Sequence, residues 1–204
     1  MKARSDATES IQRTFTETAR RAQIVAAAIQ TIAELGYARA SFAQIAKRAG
    51  LSSTGLISYH FAGKDELIAQ VVAAVYTAIA QFMTGHMAQQ STATGALQTY
   101  IRANVAFIAS HRTQMKALLD IFLNGGIHYD ATMELVVTSP VEQLLHWGQE
   151  SGDFRAFDTR VMASVIQRAI DGLPFLLETA PDLDLDAYAR EVATLFDLAT
   201  RRTA

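Results

Sequence analysis

Between residues 41 and 64 the chain carries short hydroxyls at Ser41, Ser52, Ser53, Thr54 and Ser58, a glycine at Gly55, the pair Tyr59-His60, and Lys64. Hydroxyl, phenol, imidazole and ammonium groups are donors of the kind that reach phosphate oxygens, and short hydroxyls also reach base edges. A glycine among them lets backbone approach a groove closely. No arginine falls between Ser52 and His60, so the common bidentate guanine contact is not available from this stretch.

These side chains need two short helices and a turn to position them. Ser41 and Gln44 have the spacing of a capping box, in which each side chain closes the other's free backbone N–H. Phe42, Ile45, Ala46 and Ala49 form an inward stripe, and Gly50 permits a sharp turn. Ser52 is then the expected cap of a second helix, with Leu56 turned inward and Ser53, Thr54, Ser58 and Tyr59 outward. Phe61 reads as core. The layout is that of a helix-turn-helix, whose second helix enters the DNA major groove.

The segment resembles the DNA-binding domain of TetR/AcrR-family transcriptional regulators. The matching residues are Gly36-Tyr37, Ser41 with Ile45-Ala46, Ala49-Gly50-Leu51-Ser52, Tyr59-His60-Phe61, and Lys64 with Leu67. The resemblance covers residues 18–68. Many members have a glycine two residues after the serine corresponding to Ser52, whereas here it comes three later, at Gly55. The stretch from Ser52 to Phe61 is therefore one residue longer than usual, and the facing of Ser53, Thr54 and Gly55 is left open.

The flanking chain is helical in pattern. Ile24, Ala28, Ile32 and Leu35 recur at helical spacing before the stop at Gly36. Residues 1–15 are polar, with Lys2, Arg4 and Arg13, and read as a mobile basic tail; an arm into the minor groove is the sharper alternative. Lys64-Asp65-Glu66 opens a long helix to about Gly85, its acids placed at the positive end. Further helices are expected over 94–110 and from Met115 to Phe122, ended by Asn124-Gly125-Gly126. Residues 127–138 fit either loop or short helix. Ser139-Pro140-Val141-Glu142 has the form of a second capping box, opening a helix to Ser151-Gly152. The last two helices read as 158–178, kinked near Gly172-Pro174, and 185–202.

The chain of 204 residues has a formal net charge of −2, half its residues hydrophobic and no cysteine, which excludes disulfides and thiolate metal sites. Residues 1–66 hold nine Lys and Arg against six Asp and Glu, while the remainder holds nine against fourteen. A basic head on an acidic body suits a protein that presents one face to phosphates. The five histidines include no pair at the spacing of a helical metal site, and no phosphate-cradling loop or nucleophile elbow occurs. His111 and Asp120 have no nucleophile organised around them. No catalytic residue, metal or cofactor is expected. No apolar run reaches the roughly 20 residues of a membrane span, and the N-terminus has no apolar signal segment.

The expected fold is all-α: a basic tail (1–15), a three-helix DNA-binding domain (16–66) and a helical regulatory domain (67–204). Asn104, His111, Met115, Asn124, Gln143, Trp147 and Arg168 are the polar, sulfur-bearing and aromatic candidates for an effector site in an otherwise apolar bundle. Without a span or signal segment the expected location is cytoplasmic, and the resemblance implies a homodimer joined through helices 158–178 and 185–202. It implies double-stranded DNA with a palindromic operator as partner, and release of that DNA by a small, largely apolar ligand. The alternatives are a helical small-molecule-binding or enzymatic protein whose helix-turn-helix is only structural, and a regulator acting as an activator.

Overall fold

The computed structural model describes the backbone of residues 2–202 and the side chains of residues 16–202. The chain divides into two compact units. One, the head, comprises residues 1–75 with 116–127; the other, the body, comprises 76–115 and 128–204. The division falls inside a long helix rather than at its start, and a segment from the middle of the chain joins the head.

The head opens with α1 (Lys2–Leu35). No glycine or proline occurs between Lys2 and Leu35, so nothing in the sequence halts the helix at residue 15. The backbone of the supposed tail is thus continuous with α1, whereas the side chains of Lys2, Arg4 and Arg13 lie outside the described residues. Gly36, at φ 88°, ends the helix, and a 3-10 turn (Tyr37–Arg39) leads into α2 (Phe42–Arg48). Ser41 caps α2 by accepting from the Gln44 N–H at 3.4 Å. The reciprocal half of the box is not formed, because the Ser41 N–H donates to the Arg39 carbonyl at 2.9 Å.

Past α2, Gly50 takes φ 65°; its N–H bonds the Lys47 carbonyl and the Leu51 N–H bonds that of Ala46. This is the glycine-closed helix end that the sequence signals. Next comes α3 (Gly55–His60), then α4 (Lys64–Met87). Ile24, Ala28, Ile32, Ile45, Ile57, Phe61, Leu67 and Ile68 are all fully or almost fully buried and form the head's centre. Burying a side chain of this size stabilises a fold by roughly 1.5–3 kcal/mol.

Within the body, α5 (Ala93–Ser110) is the central helix and packs against α7 (Ala131–Glu150), α8 (Thr159–Asp171), α9 (Leu173–Thr179) and α10 (Leu185–Thr200). Its buried face runs from Ala93 through Leu97, Tyr100, Ile101 and Val105 to Ile108, while Arg102, Ala106 and Ala109 are exposed on the other side. α6 (Arg112–Leu123) links α5 to the glycine pair at 125–126.

α7 corrects the sequence reading. The helix starts at Ala131, capped by Asp130, which accepts from the Met133 N–H at 2.9 Å, and Ser139-Pro140 sits in its interior. Pro140 leaves the Val136 carbonyl without its intrahelical donor. Val136 is exposed, so water can take that role. At the other junction the expected kink falls at Gly172, which has φ −71° and ψ −20° and separates α8 from α9, with Pro174 in the first turn of α9. Asp184 caps α10 through the Ala187 N–H.

Candidate nucleic-acid interface

The reader helix α3 is six residues long, and its facing follows from two anchors. Ile57 and Phe61, four apart on one side, are buried in the head, while Leu56 is 37% exposed. Leu56 does not turn inward as expected, because in an α-helix one residue is a rotation of about 100° and Ile57 holds the inward position. Ser52 is not the cap either. The helix begins at Gly55, with Thr54 before it, so the additional residue lies in the turn ahead of the reader.

Ser52, Ser53, Thr54, Gly55, Ser58 and Tyr59 are consequently all exposed, with Tyr59 at 74%. Ser41, at the cap of α2, is exposed as well. His60 is half-buried, in edge contact with the Tyr59 ring at 5.0 Å, and its Nδ1 is buried without a hydrogen-bond partner.

Arg21, Glu66 and Gln23 hold the reader and the turn before it in place. The Arg21 guanidinium lies 4.3 Å from the centre of the Phe61 ring, donates to the His60 carbonyl, and pairs with Glu66 at 3.1 Å. The other Glu66 oxygen accepts from the Ala62 N–H at 2.7 Å. That backbone bond, followed by Arg21, holds the Glu66 carboxyl below its ordinary range. Gln23 donates to the Ala49 carbonyl at 2.7 Å, tying α1 to the end of α2. Arg48 forks onto Glu34, with one arm at 2.9 Å. The charges that make the head basic are therefore partly used inside it.

Lys64 is also engaged. Its Nζ donates to the Tyr37 carbonyl at 2.9 Å and stands 4.1 Å over the Tyr37 ring. An ammonium has three donors, so two remain for an anion.

The effector candidates do not assemble as a group. Asn124 belongs to the head, where its amide bonds the Asp120 carbonyl at 2.9 Å and carboxylate at 3.0 Å. Gln143 is exposed, because α7 buries Val141, Leu144, Leu145 and Gly148 and turns Gln143 away. Trp147 is 38% exposed. Met115 packs at the margin of the body's core. His111 caps the end of α5 and stacks on Phe107 at 4.0 Å, with Phe82 at its edge.

Asn104 and Arg168 are joined by residues the sequence did not single out. Asn104 donates to the Tyr100 carbonyl at 2.9 Å. The Tyr100 hydroxyl donates to Gln167 at 2.9 Å, and Gln167 donates to Asp171 at 2.8 Å. Arg168 then donates to the Tyr129 hydroxyl at 2.8 Å and to Glu134 at 2.9 Å, and forms an ion pair with Asp171 at 3.6 Å. The legible signal was Gln167, a polar residue on the buried stripe of Ala163, Ile166 and Ile170.

Burial dominates the electrostatics of this chain of groups. It pushes the Tyr76 hydroxyl to about 12, with the Asp171 charge adding to the effect. Burial first, then Asp171, also raises Tyr100. The Asp171 carboxyl is raised by burial, against the opposing pull of Gln167 and Arg168. Folded protein thus holds the Asp171 proton more tightly than unfolded chain. The stability that this proton confers is complete below about pH 4 and is lost as pH rises through the folded value. Asp171→Asn should remove that loss: the Tm difference, variant minus parent, should grow between pH 4 and pH 7 in paired thermal melts. A difference constant with pH would contradict it. Arg168 keeps Glu134 and Tyr129 in the variant, so no cation is orphaned.

A capped two-helix reader with a hydroxyl-rich outer face, joined to an α-helical body, defines a DNA-binding regulator. The description "Bacterial regulatory proteins, tetR family" matches residues 24–71, the segment that holds the reader. The chain is 28% identical to the HTH-type transcriptional regulator BetI of Cronobacter sakazakii over 189 residues, covering 85% of this chain and 91% of that protein. It is 30% identical to the A-factor receptor protein of Streptomyces griseus over 165 residues, covering 76% of this chain and 54% of the receptor. The fold is shared with the transcriptional regulator FadR from Bacillus subtilis, solved in complex with stearoyl-CoA, at a TM-score of 0.74 and 23% identity, over 85% of this chain and 95% of that one. Residues 24–71 are the DNA-binding domain of the tetR family of bacterial regulatory proteins, and the BetI relative matched along most of the chain is a transcriptional regulator. The protein is a regulator and not an enzyme.

Proposed function

We propose that the protein is a cytoplasmic homodimeric repressor that binds a palindromic operator through α3 and is released by a small, largely apolar ligand held in the body. The observation that carries the DNA reading is the reader's outward face. Ser52, Ser53, Thr54, Gly55, Ser58 and Tyr59 have no packing role, while Ile57 and Phe61 fix their direction. Ser41, His60 and Lys64 flank that face. We assign Tyr59 and Lys64 to phosphates and the hydroxyls to bases and backbone. A purely structural helix pair has no use for an aromatic side chain at 74% exposure.

Dimerisation is supported by α8 and α10, which each carry a second apolar face: Val161 and Val165 on one, Leu195 and Leu198 on the other, all more than half exposed. A two-fold axis would set two readers about 34–36 Å apart, one DNA turn. An apolar effector suits a body whose core is almost wholly aliphatic and aromatic. The FadR fold neighbour was solved with stearoyl-CoA, whose acyl chain is apolar. Asn104, His111, Met115 and Arg168 are the body residues proposed to orient it.

The test uses a duplex selected from random DNA by the protein itself. Tyr59→Ala should weaken binding at least tenfold, the order of magnitude of one lost hydrogen bond to a charged group. Lys64→Ala should make the dependence of log K on log salt shallower by about one per protomer. Sedimentation should show the same oligomer for both variants. Parental affinity in each would refute the assignment. Adding candidate ligands to the bound complex identifies the effector by release, and binding strengthened by every active ligand would favour the activator reading.

A further inference from the structure

The Tyr37 backbone is gripped from both sides by charged side chains distant in sequence. Its N–H donates to the Asp120 carboxylate and its carbonyl accepts from Lys64 Nζ at 2.9 Å. Its ring is confined as well. Lys64 Nζ stands 4.1 Å above it, and a Cβ added at Gly126 would come within 2.8 Å of the ring's Cε2. Gly126 itself is placed by the closure of α6, where its N–H bonds the Ile121 carbonyl at 2.8 Å with Gly125 at φ 71°. Asn124 fixes Asp120 from the same loop, at 3.0 Å. A carboxylate, a glycine and an amide from residues 120–126 thus converge on one residue beside the reader.

We propose that Asp120 and Gly126 are positioning residues for DNA binding, acting through Tyr37 to hold the Lys64 ammonium where it meets a phosphate. The inference rests on the reading of Lys64 as a phosphate contact. A lysine side chain has four rotatable carbons and loses rotamer freedom when fixed, so an ammonium already held at a carbonyl and a ring face binds an anion with less further ordering. Tyr37 supplies that seat. Its carbonyl also accepts from the Ala40 N–H at 3.3 Å, but Gly36 at φ 88° is a pivot that leaves the Tyr37 N–H outside the helix ladder. Asp120 takes that N–H and Gly126 leaves space for the ring. The DNA head is therefore completed by a segment that composition and pattern assign to the regulatory part. α6 is continuous from Arg112 to Leu123, so the same helix that seats Tyr37 begins in the body.

The experiment compares salt dependence of binding to the selected duplex for Lys64→Ala, Asp120→Ala, Asp120→Asn and the double variant of Lys64→Ala with Asp120→Ala. Loss of general stability lowers the active fraction but leaves the slope of log K against log salt unchanged, whereas loss of a phosphate contact reduces it. Asp120→Ala should lower the slope by about one per protomer, as Lys64→Ala does. The double variant should fall no further. Asp120→Asn retains an oxygen acceptor for the Tyr37 N–H and should keep the parental slope. If Asp120→Ala fails to fold, Gly126→Ala tests the same seat by crowding the ring and should lower the slope likewise. A slope lowered by Lys64→Ala but not by Asp120→Ala or Gly126→Ala overturns the positioning role alone. A slope unmoved by Lys64→Ala overturns the phosphate contact, and with it the role given to Asp120.

Discussion

Replacing Leu195 and Leu198 together by glutamate should convert the protein to a monomer and reduce operator affinity by about a thousandfold, towards the level of non-specific binding. Both side chains are 60% exposed. They stand opposite the buried stripe of Ala193, Phe196 and Thr200, so α10 already satisfies its own core without them. α8 repeats the arrangement, with Val161 and Val165 outward and Ala163, Ile166 and Ile170 inward. A helix with two apolar faces calls for a partner on the second. With two-fold symmetry every aliphatic side chain counts twice, each contributing roughly 1.5–3 kcal/mol on full burial. Two glutamates per chain would bring four carboxylates into that contact. Sedimentation velocity together with DNA binding checks the prediction; a dimer of undiminished strength would sink the interface.

What was legible in the sequence was whatever depends on near neighbours. Gly36 and Gly50 were recognisable as helix ends because a positive φ after a helical run is a local requirement. Ser41 was recognisable as a cap for the same reason. Local signatures failed where a competing partner lay out of view. The Ser41 N–H goes to Arg39 instead of to Gln44. At Ser139 the capping box is overridden by Asp130, which starts the helix nine residues earlier, and packing of Val141, Leu144 and Leu145 carries it through Pro140. The facing of α3 was missed by one position because six residues give no repeating stripe to average over. The contacts that organise each unit span large separations, 83 residues from Tyr37 to Asp120 and 67 from Tyr100 to Gln167. Nothing in a single sequence marks such pairs. The exposed residues of α3 and of the turn before it could be named because they follow from a two-helix geometry, whereas the body's polar chain could not.

The largest effect on stability should come from Gly148→Ala. Gly148 lies on the inward side of α7, and a Cβ there would fall 2.0 Å from Cδ2 and 2.3 Å from Cε2 of Phe154. Phe154 has no freedom to retreat. It is almost wholly buried, its N–H bonds the Gly148 carbonyl at 2.9 Å, and it forms an isolated antiparallel bridge with Arg201. Its neighbour Arg155 bonds the Thr200 carbonyl at 3.0 Å, so the connector between α7 and α8 is sewn to the end of α10. Helix propensity alone favours alanine over glycine by about 1 kcal/mol. Overpacking in a filled core costs about 1–3 kcal/mol, and more where backbone must move. Here ring and backbone must shift together, so the clash should exceed the propensity gain and leave Gly148→Ala about 2 kcal/mol or more less stable. Gly85→Ala is the control: it sits in α4 with no atom within 4 Å of an added Cβ, and it should gain stability from propensity. Denaturant melts of the two variants beside the parent decide the matter. Were Gly148→Ala as stable as Gly85→Ala, the ring of Phe154 would have to sit elsewhere, and the anchoring of α10 through the connector would be wrong.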